Sequence, residues 1–252
     1  MSGHSKWSTI KHGKAVADAR RSQLFTKLAK EIIVAVRQGG GDLDMNFRLR
    51  MAVEKAKDSN MPSGNIERAI KKGSGDASGQ EQMFEVFYEG YGPGGTAVLL
   101  QALTDNKNRT VSDVRSTFTR IGGSLAQTGS VAWQFEQKGL VVADVASDDT
   151  EEFELVAIDA GAEDFETIDS TLHVYSAPEI LEQVRSSLAE NGAFIKSSEL
   201  SMVAKNTVTL DDEKAAATLR LLDQLEELDD IQKVFSNADF PDNALKAYEN
   251  GR

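Results

Sequence analysis

A change in hydrophobic period near residue 80 constrains the fold of this chain more than any other feature of its 252 residues. Beyond that point the apolar residues Phe84, Val86 and Tyr88 recur at every second position, as in a half-buried strand. Before it they recur at every fourth position, as in an amphipathic helix: Leu24, Leu28, Ile32 and Val36. The stretch 73–80 (GSGDASGQ) is rich in glycine and serine and predicts a linker. We therefore expect a helical segment followed by a segment built on sheets.

Three helices are predicted before the linker. The first ends at the glycine run 39–41, because glycine is favoured just past a helix C-terminus. The second is expected to bury Phe47 and Met51, with Leu49 and Val53 as further candidates, and the third is short, at residues 63–72. Residues 1–75 are therefore predicted to form an all-helical basic domain that binds nucleic acid.

The order of elements after the linker indicates that one domain is inserted into another. Between residues 140 and 203 the order is strand, helix, strand, strand, helix, strand, which is the βαββαβ order of a ferredoxin-like split βαβ unit. The predicted class is therefore α+β and multi-domain. The helical bundle is followed by an α+β domain at 80–136 and 205–240, and that domain carries an inserted ferredoxin-like domain at 137–204.

Local signals predict several boundaries within these domains. Residues 131–135 are expected to form a strand, and Gln137-Lys138-Gly139 is expected to turn the chain into another strand at 140–145. Two helix starts are predicted from pairs that resemble capping boxes: Thr110 with Asp113, and Ser176 with Glu179.

The charge of the chain is divided as sharply as its hydrophobic pattern. Up to Gly75 there are fifteen Lys and Arg against seven Asp and Glu, a net charge of +8. The remainder holds 13 of the 28 basic and 33 of the 40 acidic residues, a net charge of −20. A basic segment of this kind is typical of proteins that bind polyanions, since neutralised phosphates release counterions. We expect the basic end to bind nucleic acid and the acidic remainder to face away from it.

The strongest binding candidate is the N-terminal arm, in which cations are interleaved with aromatic and imidazole rings. Lysine and arginine contact phosphates without sequence preference, and an exposed indole stacks on a base. The alternative is a solvated helix face with the indole folded back onto the first domain. The residues predicted to bind are Lys6, Trp7, Lys11, His12, Lys14, Arg20 and Arg21.

A second basic cluster lies at the end of the short third helix. Lys71 and Lys72 occupy its last turn, next to Arg68. These cations either contact phosphate or complement the negative end of the helix dipole, and the sequence alone leaves both roles open.

Two polar loops add weaker candidates. The GYGPGG loop at 90–95 is either a tight glycine turn or a recognition loop in which Tyr91 stacks on a base. A strand follows it where a dinucleotide-binding loop would have a helix. The DNKNRT segment precedes a helix start, where it either turns the chain or binds an anion through Asn106, Asn108 and Arg109.

Catalysis, cofactors and metals have little support in this sequence. The absence of cysteine excludes disulfides, thiolate catalysis and cysteine-bound metal. His4 and His12 have no acidic partner nearby in sequence, and His173 stands between apolar residues of a predicted strand. We expect a non-enzymatic, cytoplasmic protein with no cofactor, metal, small-molecule substrate or membrane segment.

Five long motifs, in order, resemble the YebC/PmpR family, which includes the mitochondrial translational activator of cytochrome oxidase subunit one. The resemblance runs nearly end to end and implies a helical first domain and a ferredoxin-like third domain inserted into the second. It also assigns two sets of residues to the family pattern: Lys6, Trp7, Lys11, His12 and Lys14 of the arm, and Lys71 and Lys72. The motifs are GHSKWSTIKHGK, MPSGNIERAIKKGSG (61–75), YEGYGPGG (88–95), DNKNRT (105–110) and GGSLAQTGSVAWQF (122–135).

The resemblance implies one of two functions. The first is a DNA-binding transcriptional regulator, in which the helical domain contacts duplex DNA at a defined site. The alternative is a translation factor that binds ribosomal RNA or tRNA on the ribosome and relieves stalling at proline-rich stretches. The family's customary description favours the first, whereas the acidic remainder, which long duplex DNA would repel, favours the second.

Overall fold

The computed structural model describes residues 18–75, 83–145, 150–168 and 170–250. They form two compact units. The first unit comprises residues 18–75, 83–132 and 210–236, so it holds both the helical segment and the sheet that follows it. The second unit comprises residues 133–145, 150–168, 170–209 and 237–250.

Three helices form the N-terminal part of the first unit: α1 (Asp18–Gly39), α2 (Phe47–Asp58) and α3 (Ser63–Gly73). The four-residue stripe seen in the sequence is the buried face of α1, where Leu28, Ile32 and Val36 are each at most 3% exposed. Gly40 ends α1 with a φ of +83°, a conformation that glycine adopts without strain. The helices thus enclose one apolar core.

The expected burial in α2 is wrong for Phe47. This residue begins the helix and is 41% exposed, with the Arg50 guanidinium 5.8 Å from the centre of its ring. Met51 is only partly buried, whereas the further candidates Leu49 and Val53, on the same face one turn apart, are buried as expected. The helix begins at residue 47 because the Asn46 side chain accepts a hydrogen bond from the Leu49 N–H and caps the first turn.

The sheet of the first unit is antiparallel, in the order β3-β1-β2-β9. Helices α4 (Lys107–Arg120) and α7 (Asp212–Glu226) belong to the same unit. Phe118 of α4 packs so closely on Gly90 that a Cβ there would lie 2.4 Å from its ring. The strands are β1 (Phe84–Tyr91), β2 (Ala97–Thr104), β3 (Ser124–Leu125) and β9 (Ile231–Ser236).

The second unit contains another antiparallel four-stranded sheet, in the order β5-β6-β4-β7. Helices α5 (Thr150–Asp159) and α6 (Leu181–Glu190) share its apolar core with the strands. The strands are β4 (Phe135–Asp144), β5 (Asp164–Ile168), β6 (Thr171–Ser176) and β7 (Phe194–Ala204). The unit also contains a two-stranded parallel pair and a final helix: β8 (Val208–Thr209), β10 (Ala238–Asp239) and α8 (Asp242–Asn250). The predicted α+β class is confirmed.

The expected turn at Gly139 is wrong, because β4 runs unbroken through it. Gly139 pairs with Ser176 on one side and Leu200 on the other. A Cβ at this position would lie 2.7 Å from the Ser176 Oγ and 2.9 Å from the Leu181 Cβ. The glycine therefore permits close packing and does not turn the chain. The strand expected at 131–135 is replaced by a 3₁₀ turn at Ala132–Gln134.

Both predicted capping pairs are also corrected. Helix α4 begins three residues before Thr110, and the Asn106 side chain caps it by accepting a hydrogen bond from the Arg109 N–H. Ser176 is the last residue of β6, and a 3₁₀ turn at Pro178–Ile180 separates it from α6. A serine or threonine followed by an acid three residues later was therefore a misleading signal at both helices. Asn106, four residues before Thr110, supplies the cap of α4.

Candidate nucleic-acid interface

Most of the predicted arm lies outside the described residues, namely Lys6, Trp7, Lys11, His12 and Lys14. Arg20 falls in the first turn of α1, where only the backbone is described, and Arg21 is exposed on the same turn. The described part of the interface is therefore built from the three helices.

Arg68, Lys71 and Lys72 share the outer surface of α3. The helix buries Ile66 and Gly73 against the rest of the bundle, and at 3.6 residues per turn the three cations lie at least about 120° around the helix from Ile66. All three are exposed. The Arg68 Nε donates a hydrogen bond to its own helix at the Gly64 carbonyl, 3.0 Å away. The structure thus brings together three of the predicted residues on one cationic face.

Close packing between helices fixes the direction of that face. A Cβ at Gly73 would lie 2.6 Å from the Val36 Cβ and 3.0 Å from the Ile33 carbonyl oxygen, so the C-terminal end of α3 lies directly against α1. Ser74 closes the helix by donating its N–H to the Ile70 carbonyl at 3.0 Å. Because the backbone of the last turn is held in this way, Lys71 and Lys72 stay on the side facing solvent.

Other cations of the helical segment hold it to the sheet of the same unit. The Lys30 Nζ lies 2.7 Å from the Asp230 Oδ1, and the Arg48 guanidinium lies 3.0 Å from the Glu85 Oε1. Lys27 donates to the Glu226 carbonyl. The positive charge of the segment is therefore divided between cations that bind the protein's own carboxylates and the exposed cations of α3.

Arg109, a predicted site residue, belongs to the internal set. Its guanidinium donates to the Asp230 Oδ2 at 2.8 Å and to the Asp105 Oδ1 at 2.7 Å, and these two hydrogen bonds raise its pKa. Asn106 is occupied as the cap of α4, while Asn108 is exposed in its first turn. The structure gives Asn106 and Arg109 roles inside the protein, which is the turn-chemistry alternative considered for this segment.

Asp230 is the centre of this network and was missed by sequence reasoning. It is 6% exposed, and its Oδ2 also accepts from Thr110 at 2.8 Å and from Thr104 at 3.2 Å. Burial alone would raise the pKa of Asp230, but the hydrogen bonds from Lys30, Arg109 and Thr110 outweigh burial and lower it to about 2. Nothing local distinguishes this residue from the adjacent Asp229, so only the folded arrangement reveals it.

Tyr91 ends β1 and is not at the tip of its loop. It is 38% exposed, and its hydroxyl donates to the Ser130 carbonyl at 3.2 Å. The tip is the 3₁₀ turn Pro93–Gly95, in which Gly94 and Gly95 have φ values of +76° and +77°. The glycines of this loop therefore serve the turn, and Tyr91 lies on its flank.

A buried carboxylate that the sequence did not reveal shapes the neighbouring loop. Glu89 is 3% exposed. Its carboxylate accepts hydrogen bonds from the backbone N–H groups of Gly129 at 2.7 Å, Val131 at 2.6 Å and Ala132 at 2.9 Å. Burial raises its pKa, but these donors together lower it, so the carboxylate remains charged at neutral pH. The only feature of the sequence that could have indicated this buried carboxylate is a glutamate within a predicted strand, next to Gly90.

Within the described ranges no group of three or more histidine and acidic side chains is arranged to hold a metal ion. His173 is 3% exposed in β6, where it faces Glu166 across the β5 pairing. None of the described helices combines the length and apolar character needed to cross a bilayer. The polar clusters described for this structure are thus the cationic face of α3 and the hydrogen-bond networks around Asp230 and Glu89.

Comparison with known proteins assigns a family to this chain. The model of the TACO1/YebC protein N-terminal domain matches residues 5–76, and that of the TACO1/YebC second and third domain matches residues 83–238. A Dehalococcoides mccartyi (strain CBDB1) protein is 56% identical over 98% of both chains. A Chloroflexus aggregans protein is 50% identical over 99% of this chain and 100% of its own. Both are named probable transcriptional regulatory proteins.

The fold has a close counterpart among solved structures. The crystal structure of the conserved hypothetical protein Aq1575 from Aquifex aeolicus superimposes with a TM-score of 0.86 at 45% identity, over 94% of this chain and 98% of that one. The matched models, the relatives and this structure agree with the motifs quoted above. The chain belongs to the TACO1/YebC family.

Proposed function

We propose that this chain is a non-enzymatic regulator of gene expression that binds folded RNA through its basic helical segment. The RNA that we propose as its main target is that of the ribosome. The observation that supports this most is the reversal of charge along the chain, from +8 up to Gly75 to −20 beyond it. Lys71 and Lys72 stand on the exposed side of α3, together with Arg68. Phosphate groups are the partner that such a surface fits.

The N-terminal arm is part of the same proposal. Lys6, Lys11 and Lys14 would neutralise phosphates, while Trp7 and His12 would contact bases. Arg20 and Arg21 extend the charge into the first turn of α1. Tyr91 and Asn108, both exposed, would contribute weaker contacts from the sheet portion of the unit.

The acidic remainder supports a target that contains basic protein as well as nucleic acid. A −20 segment is repelled by a long polyanion but attracted to basic proteins. A ribosome presents both, so the chain would bind RNA with one end and protein with the other. We propose a cytoplasmic location and no membrane or small-molecule partner.

We further propose that the chain has the three domains expected from its sequence, at 1–75, at 80–136 with 205–240, and at 137–204. The βαββαβ order of β4, α5, β5, β6, α6 and β7 and the strand order β5-β6-β4-β7 support a ferredoxin-like inserted domain.

The second candidate is a DNA-binding transcriptional regulator. It is supported by the names of the relatives and by the connection between α2 and α3, which is four residues long, the length found in helix-turn-helix proteins. In that case α3 would carry Arg68 into the major groove of duplex DNA.

Cosedimentation with purified ribosomes, run beside a gel shift on random duplex DNA at the same salt concentration, tests the two candidates. Our proposal expects the protein to sediment with ribosomes and to leave the duplex unshifted. Shifting of duplex without ribosome association would favour the transcriptional regulator, and absence of both would reject nucleic-acid binding.

A further inference from the structure

Trp133 is an exposed indole that the interface described above does not use. It lies in the 3₁₀ turn Ala132–Gln134, within the GGSLAQTGSVAWQF motif, and is 67% exposed. Two residues later Phe135 is 4% exposed. An exposed indole has a large flat face with a polar edge, so Trp133 is available for contact with another molecule.

The backbone around Trp133 is held from several directions within the second unit. The Lys205 N–H donates to the Gln134 carbonyl at 2.8 Å, and the Lys205 Nζ donates to the Trp133 carbonyl at 3.1 Å. The Asn237 amide donates to the Gln134 Oε1 at 3.0 Å. The indole is therefore exposed on a fixed backbone and is not part of a loose loop.

The charge near Trp133 differs from that of the unit as a whole. Residues 133–209 contain sixteen Asp and Glu but only four Lys and Arg, yet two of those four, Lys138 and Lys205, lie at the end of the β4–β7 pairing that carries Trp133. Lys138 contacts Glu136 at 2.9 Å and Glu163 at 3.4 Å. The hydrogen bond from Lys138 lowers the pKa of Glu136, and the charge of Lys205 lowers it further. The Lys205 ammonium also donates to the backbone carbonyl of Trp133, so it lies close to this residue.

We infer that Trp133 is a stacking platform for an unpaired nucleobase, with Lys205 contacting an adjacent phosphate. An indole stacks on the face of any base, and the Lys205 ammonium, 3.1 Å from the Trp133 carbonyl oxygen, suits the phosphate of the same nucleotide. A base inside a continuous duplex has no free face, so this site selects looped or single-stranded RNA. The inference rests on the proposed RNA-binding function and assigns the second unit a share in it.

Intrinsic fluorescence provides a direct test, because the chain has two tryptophans. In a Trp7→Phe protein, Trp133 is the sole indole fluorophore. We expect an RNA hairpin with an unpaired loop to quench its emission, and a fully paired RNA duplex of equal length to leave it unchanged. Equal or absent quenching by the two RNAs would overturn the inference.

Affinity measurements in the same background complete the test. Adding Trp133→Leu should weaken hairpin binding by about 5- to 150-fold with an unchanged salt dependence, whereas Trp133→Phe should recover much of it. Lys205→Gln should instead flatten the log K against log [salt] slope by about 0.7. If the affinity for the hairpin is unchanged by Trp133→Leu, the stacking site is contradicted but the proposed RNA-binding function is not. A parent protein that binds no RNA at all would reject the proposed function.

Discussion

The ammonium group of Lys30 and the carboxylate of Asp230, 200 residues apart in the chain, lie 2.7 Å from each other. This contact joins helix α1 to the end of the loop that enters β9. The same carboxylate accepts from Arg109 and Thr110 of α4. A single buried acid thereby connects the helical segment to two elements of the sheet portion, and its loss should be felt in the stability of the whole unit.

Asp230→Asn should destabilise the first unit by about 2 kcal/mol. This figure follows from a pKa lowered from 3.8 to about 2, because the amide cannot provide the charge that Lys30 and Arg109 contact. Urea unfolding monitored by circular dichroism measures it. Asp229→Asn is the matched control, because Asp229 is exposed and this substitution removes the same negative charge. Equal effects of the two substitutions would show that the network contributes nothing.

The contribution of Asp230 should depend on pH in a defined direction. Its folded pKa of about 2 lies below its unfolded value of 3.8, so the stabilisation is complete above the unfolded pKa and is lost as the pH falls through the folded one. The stability difference between the parent and Asp230→Asn should be constant above about pH 5 and shrink between about pH 4 and pH 2. Unfolding curves across that range would contradict this if the difference grew on acidification.

Glu89→Gln should loosen the loop at residues 129–132. The neutral amide keeps one acceptor oxygen and places a donor against backbone N–H groups, which costs about 2–3 kcal/mol at a buried site. Hydrogen exchange should accelerate at the amides of Gly129 and Val131. The exposed Glu190→Gln is the control for loss of charge. Unchanged protection at those amides would mean that the loop is held by other contacts.

The sequence predicted the α+β class well because hydrophobic period is a local property. The repeat from Leu24 to Val36 is the face that α1 packs into the helical core, and the alternation from Phe84 to Tyr88 falls within β1. Gly139 was misread because a glycine required for close packing and one required for a turn are the same letter. The requirement for a glycine at position 139 is evident only in the folded structure, where Ser176 and Leu181 lie against it.

In the candidate site, too, features set by local sequence were predictable and features set by distant partners were not. The grouping of Arg68, Lys71 and Lys72 follows from helical spacing, which the sequence contains. The engagement of Arg109 with Asp230 depends on a partner 121 positions away, which no local pattern shows. The rigid presentation of Trp133 depends likewise on Lys205 and Asn237, which are distant in sequence.

The arm lysines should act on RNA through charge alone. Replacing Lys6, Lys11 and Lys14 together with alanine should flatten the log K against log [salt] slope by about 0.7 per lost contact on single-stranded RNA, or about 0.9 on duplex. Trp7→Ala should weaken looped-RNA binding by about 1–3 kcal/mol without changing the slope. If Trp7→Ala instead lowered the melting temperature and left binding intact, the indole would be packed on the protein.

The most direct test of the cationic face is the salt dependence of RNA-hairpin affinity for the Arg68→Ala, Lys71→Ala, Lys72→Ala triple variant. The control removes three cations from α4 and α7: Arg115→Ala, Arg120→Ala and Arg220→Ala. We predict that the α3 variant flattens the log K against log [salt] slope by up to about 2, at about 0.7 per contact, while the control keeps the parent slope. Equal slopes for the parent and the α3 variant, or equal losses in both variants, would contradict RNA binding through the helical segment.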